Sequence, residues 1–87
     1  MVLNGNYRIV ITKAAQKDKE KIKQLPVLRR NVENLLEALK NNPFQNPPPY
    51  EKLVGALCMC YSRRINSQHR LVYMVYEPEK TVKIISM

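Results

Sequence analysis

The sequence predicts an α+β fold: an N-terminal strand, a two-helix hairpin, then a C-terminal antiparallel β-meander, with the helices on one face of the sheet. Three observations lead there. Residues 7–12 (YRIVIT) are rich in β-branched and aromatic side chains, as strands are. Residues 27–40 repeat Leu28, Val32, Leu35, Leu36 and Leu39 at helical spacing. Residues 57–65, 70–76 and 81–87 are strand-like runs separated by Asn66-Ser67-Gln68 and Glu77-Pro78-Glu79, both turn-forming sequences.

Each element has its own signal. Thr12 stands where the first strand ends, and its hydroxyl can cap a helix beginning at Lys13. That helix, over residues 13–24, carries five lysines against Ala14, Ala15 and Ile22, so its apolar stripe is thin and its lysines form a solvated face. Leu25-Pro26 breaks the pattern, and proline is welcome in the first turn of the helix that follows. Asn41-Asn42-Pro43 ends that helix. So tight a connection makes the two helices a hairpin packed on one sheet face. Residues 43–50 (PFQNPPPY) hold four of the six prolines and read as a stiff crossing loop that presents Glu51 and Lys52 in a set position.

Length and composition narrow the function. A chain of 87 residues makes one domain, with residues 1–6 expected to be a flexible N-terminus. No run approaches the roughly 20 apolar residues of a membrane span. Residues 1–6 are too short and polar for a signal peptide, so a cytoplasmic location is expected. Cys58 and Cys60 would share one strand face, where a disulfide is strained, and with a single histidine the chain lacks a zinc ligand set. They are expected to be buried thiols, with no metal and no cofactor. Fifteen Lys and Arg against seven Asp and Glu leave a net charge of +8, which favours a polyanionic partner such as nucleic acid.

The basic residues concentrate in RRINSQHRLVY at residues 63–73. If Ile65 lies opposite His69, then Arg64 faces Arg70 and Arg63 faces Leu71, and residues directly opposite share a face. Two arginines side by side repel each other. A phosphate between them relieves that repulsion, because guanidinium forks match its oxygens. Arg63, Ile65 and His69 then point to the other face.

Ser62-Arg63-Arg64-Ile65 followed by His69-Arg70-Leu71-Val72-Tyr73 resembles the YoeB/Txe branch of the RelE/ParE toxin superfamily. So does Asn42-Pro43-Phe44 after a leucine-rich helix, and so does Tyr50-Glu51-Lys52-Leu53 in the place of the family's Pro-Glu-Pro-Leu. The resemblance spans about residues 7–87. It implies a microbial-ribonuclease-like fold and the toxin of a bacterial type II toxin–antitoxin pair, a ribosome-dependent endoribonuclease that cuts mRNA in the ribosomal A site. The implied partners are the ribosome with its mRNA and a YefM/Axe-like acidic antitoxin that folds on binding. Operator DNA is contacted only through the antitoxin complex, and no membrane is involved.

Carried over residue by residue, the resemblance makes Glu51 the general base and Arg70 the arginine that stabilises the phosphate, with Arg64 at a second basic active-site position; Arg63 and Lys52, close to them in sequence, are expected as further RNA or phosphate contacts. Two departures bear on activity. The family's lysine after its Pro-Glu-Pro-Leu is Val54 here, and the family's C-terminal His-Tyr has no counterpart before Met87. The expectation is therefore a metal-independent mRNA interferase that is weakened or inactive as given; the alternative is a non-catalytic, basic RNA- or antitoxin-binding protein of the same fold. His69 is aimed away from the arginine face and is not expected to replace the missing acid.

Overall fold

The computed structural model describes residues 7–46, 49–53 and 60–87. The elements run β1 (Arg8–Ile11), α1 (Lys13–Ile22), α2 (Pro26–Asn41), β2 (Tyr50–Lys52), β3 (Cys60–Arg64), β4 (Arg70–Tyr76) and β5 (Thr81–Ser86). The five strands form one sheet in the order β1-β5-β4-β3-β2. The chain lays down β1 at one edge, crosses through the helices to β2 at the other edge, and returns strand by strand. β3, β4 and β5 form the expected antiparallel meander, and β1 pairs parallel to β5 through Ile9 opposite Val82 and Ile11 opposite Ile84.

Local signals account for the helices. Thr12 Oγ1 accepts from the Ala15 amide at 3.2 Å and donates to the Ile84 carbonyl at 2.9 Å, so one hydroxyl caps α1 and ties it to β5. The helix closes at Ile22, two residues before the expected end; only Ala15 and Ile22 are buried, and the next apolar residue, Leu25, is exposed. Pro26 opens α2 in the N1 position, and Leu28, Val32, Leu35 and Leu39 are its buried stripe. Asn42 Oδ1 accepts from the Phe44 amide at 3.0 Å and turns the chain out of the helix.

Strand alternation divides the sheet. Ile65, Leu71, Tyr73, Val82 and Ile84 join the buried residues of both helices in one core, with Ile9, Ile11, Tyr61 and Val75 packed against it. The opposite face bears Glu51, Ser62, Arg64, Arg70 and Val72. Cys60 is a buried free thiol. The expectations that concern Cys58, Val54 and a flexible N-terminus over residues 1–6 lie outside the described residues. The predicted strand over 57–65 is described from Cys60 onward.

Two features depart from the reading of the sequence. Tyr50, expected to end the crossing loop, and the Glu51 and Lys52 that follow it form β2, an edge strand paired antiparallel to β3. Three residues preceded by prolines carry no periodic signal, and only the β3 edge makes them a strand. Arg63, expected among the phosphate contacts, is 1% exposed within the helix-side layer. Its guanidinium donates to the Pro43 and Gln45 carbonyls, both at 2.9 Å, and its Nε donates to the Tyr73 hydroxyl at 3.3 Å. Burial and these bonds take Arg63 out of the phosphate set.

The Tyr73 hydroxyl in turn donates to the Pro43 carbonyl at 2.9 Å. Burial pushes this phenol above its ordinary value of about 10, although the Arg63 guanidinium beside it pulls the other way. The folded chain thus holds the proton more tightly than the unfolded chain does. The resulting stabilisation is complete below pH ~10 and is lost as pH rises through the higher folded value. Denaturant midpoints measured from about pH 8 to pH 11 should fall with pH, and Tyr73→Phe should make that fall shallower. An equally steep fall in the variant would remove Tyr73 as a source.

Candidate nucleolytic site

Three strands bring the polar residues of the open face together. The turn after β3 sets the register: Asn66 Oδ1 accepts from the Gln68 and His69 amides at 2.8 and 2.7 Å, and the Ile65 amide donates to the His69 carbonyl at 2.8 Å. That closes the hairpin with Arg64 opposite Arg70 and Arg63 opposite Leu71. On the other side of β3, β2 places Glu51 opposite Ser62. Glu51, Ser62, Arg64 and Arg70 thereby form a polar patch on one face.

This patch is a cleft of about 280 Å³ lined by Pro49, Tyr50, Glu51, Ser62, Arg64 and Arg70. Arg70 Nη1 lies 3.1 Å from Glu51 Oε1 and donates to Ser62 Oγ at 3.4 Å. The Glu51 and Arg70 side chains are 69% and 45% exposed, so this ion pair sits in solvent, where such pairs are worth only about 0–1 kcal/mol. An arriving phosphate can therefore draw Arg70 away from Glu51 at little cost. Arg64 is exposed on the same face and has no described ion-pair partner.

The structure gathers Glu51, Arg70 and Arg64, and separates them from the other two expected site residues. Arg63 is buried on the helix side. Lys52 is exposed, but alternation along β2 turns it away from Glu51. His69 is half-buried in the turn and does not line the cleft. Ser62 was missed as a site residue. Its signal was its place two positions before Arg64 on one strand, which puts both on the same face. Among the described residues, no group of three or more His, Cys, Asp or Glu side chains could hold a metal ion.

An open, doubly arginine-lined cleft beside one carboxylate, on a sheet backed by two helices, gives this small basic protein a positively charged, solvent-open site. Residues 11–87 match the family of YoeB-like toxins of bacterial type II toxin–antitoxin systems. The chain belongs to that family. It is 40% identical over 48 residues to Toxin YoeB of Synechocystis, a match spanning 55% of this chain and 56% of the relative, so little more than half of that relative's length is aligned. Among solved structures, it is similar to a YoeB/ParE toxin from Agrobacterium tumefaciens, with a TM-score of 0.83, 26% identity, and coverage of 91% of this chain and 93% of that one. It is also similar to a chain of the heterotetrameric YoeB–YefM toxin–antitoxin complex from Staphylococcus aureus, with a TM-score of 0.78, 32% identity, and coverage of 92% of each chain.

Proposed function

We propose that this toxin is a ribosome-dependent endoribonuclease that cuts mRNA in the A site and so stops translation. The observation that carries the proposal is the 3.1 Å approach of Glu51 to Arg70 in an open cleft that also holds Arg64. RNA supplies its own nucleophile. Glu51 takes the proton of a 2′-OH as its oxygen attacks the adjacent phosphorus. Arg70 and Arg64 neutralise the negative charge that builds on the pentacovalent phosphorane. The O2′–P bond forms and the P–O5′ bond breaks; the leaving 5′-oxygen takes a proton from water, and Glu51 gives its own proton up to solvent. The products are a 2′,3′-cyclic phosphate and a 5′-hydroxyl. The two guanidinium groups provide the charge stabilisation that a metal supplies in other nucleases.

A cognate antitoxin follows from charge and from kinship. The net charge of +8 suits an acidic segment that folds on binding, and the Staphylococcus aureus relative was crystallised with its YefM antitoxin. In this reading operator DNA is reached only through that complex. Lys52, exposed beside the cleft, adds to the positive field that steers RNA and ribosome. The ribosomal target sets the place of action in the cytoplasm, and no described helix is long and apolar enough to cross a membrane.

The deciding test is purified chain added to ribosomes programmed with a defined mRNA, with new 5′ ends mapped by primer extension. Cutting within the A-site codon is the expected result. A chain that occupies the ribosome and produces no new ends would replace this reading with that of a non-catalytic binding protein.

A further inference from the structure

Adjacent arginines on β3 lie in opposite environments, and the buried one holds the segment that delivers Glu51. The chain between α2 and β2 is anchored at both of its described ends. At the first, Pro43 is fully buried, its carbonyl and that of Gln45 accept from Arg63 Nη2 at 2.9 Å, and Phe44 meets Tyr61 edge-on at 5.4 Å. At the second, the Tyr50 ring packs on Phe44 and Tyr61, with centroids 6.1 and 5.8 Å away. The Arg63 guanidinium carbon sits 5.0 Å from the centroid of that Tyr50 ring. Arg63 is also the cross-strand neighbour of Tyr50. One side chain therefore grips the start of the crossing segment by hydrogen bonds and its end by a cation–π contact.

The consequence for Glu51 comes from strand geometry. β2 is a three-residue edge strand, and so short a polar strand specifies its own register poorly. Holding Tyr50 on the helix side sends the next residue, Glu51, to the cleft side. A slip of one residue would turn Glu51 away from Arg70.

We propose that Arg63 is a positioning residue: by clamping Pro43 and Gln45 at one end and the Tyr50 ring at the other, it sets the register of β2 and so aims Glu51 at the cleft. This inference rests on the reading of Glu51 as the general base. Arg63 itself touches no substrate.

The test uses the full chain with Arg63→Met and Arg63→Lys. Methionine keeps the apolar bulk and removes the donors to the Pro43 and Gln45 carbonyls and the Tyr73 hydroxyl. Lysine keeps the charge and loses the fork. Two quantities are measured for each: amide exchange across β2, and single-turnover cleavage of mRNA on ribosomes as a function of toxin concentration. The expected result for both variants is faster exchange at Tyr50–Leu53 with protection retained in α2 and β4. Cleavage at saturation should fall about a hundredfold, the scale of an ~1 Å misplacement, with half-saturation unchanged. Wild-type β2 protection in both variants would overturn the proposal. So would a rise in half-saturation at an unchanged maximal rate, because that marks a charge contact to RNA. Should the wild-type chain prove unable to cut, the proposed activity fails and amide exchange alone decides the positioning role, loosened β2 supporting it and intact β2 overturning it.

Discussion

Glu51→Gln is expected to lower cleavage of ribosome-bound mRNA by about 10²–10⁴-fold, the usual contribution of a positioned general base. The substitution preserves shape and hydrogen-bonding capacity and removes only the basic oxygen. Glu51 is 69% exposed on an edge strand, and its ion pair with Arg70 lies in solvent, so the fold loses little. The unfolding midpoint should stay within the range of an ordinary surface substitution. Ribosome binding should also persist, because the positive field is undiminished. Cutting by Glu51→Gln at the wild-type rate would show that the 2′-OH loses its proton elsewhere, and the assignment of the cleft would fall with it.

Arg70→Ala is expected to cost about 10²–10³-fold in the same assay, the scale of removing one preorganised donor to a charged transition state. Its effect on stability should run the other way or vanish. Arg70 stands directly opposite Arg64, and like charges in that position destabilise a sheet by up to roughly 1 kcal/mol. The substitution relieves this repulsion and gives up a weak surface ion pair and a long hydrogen bond to Ser62 Oγ. A variant as stable as the parent yet unable to cut would show that the facing arginines serve a ligand and not the fold. Arg70→Lys separates charge from geometry: a point charge restores part of the rate, and the missing fork accounts for the rest. If Arg70→Ala is destabilised and still cuts at full rate, the arginine pair is structural and the proposed role fails.

Much of the cleft was legible because its logic is local. Residues 62–73 form one hairpin, and period-two alternation places Arg64 and Arg70 side by side once the turn is located. The Asn66 turn signal located it. The same alternation sends Arg63 to the other face, away from the phosphate contacts among which it was counted. Ser62 was overlooked because a serine two positions from an arginine is unremarkable until Arg70 is seen 3.4 Å from its hydroxyl. Glu51 was found by resemblance alone. A carboxylate after a run of prolines has no pattern of its own.

The two helices, the meander and the pairing of Arg64 with Arg70 are written in local sequence. Those features follow from side-chain periodicity and turn chemistry over spans of a dozen residues or so. The packed fold, by contrast, is what makes β1 and β5 run parallel, makes Tyr50–Lys52 a strand, and brings Glu51 to Arg70 across 19 positions of sequence. It also decided which neighbouring arginine would be buried. Alternation puts Arg63 and Arg64 on opposite faces without saying which face the helices cover. The covered side is set when α1 and α2 pack on the sheet, and Arg63 then finds in the Pro43 and Gln45 carbonyls, the Tyr73 hydroxyl and the Tyr50 ring the partners that make its burial tolerable.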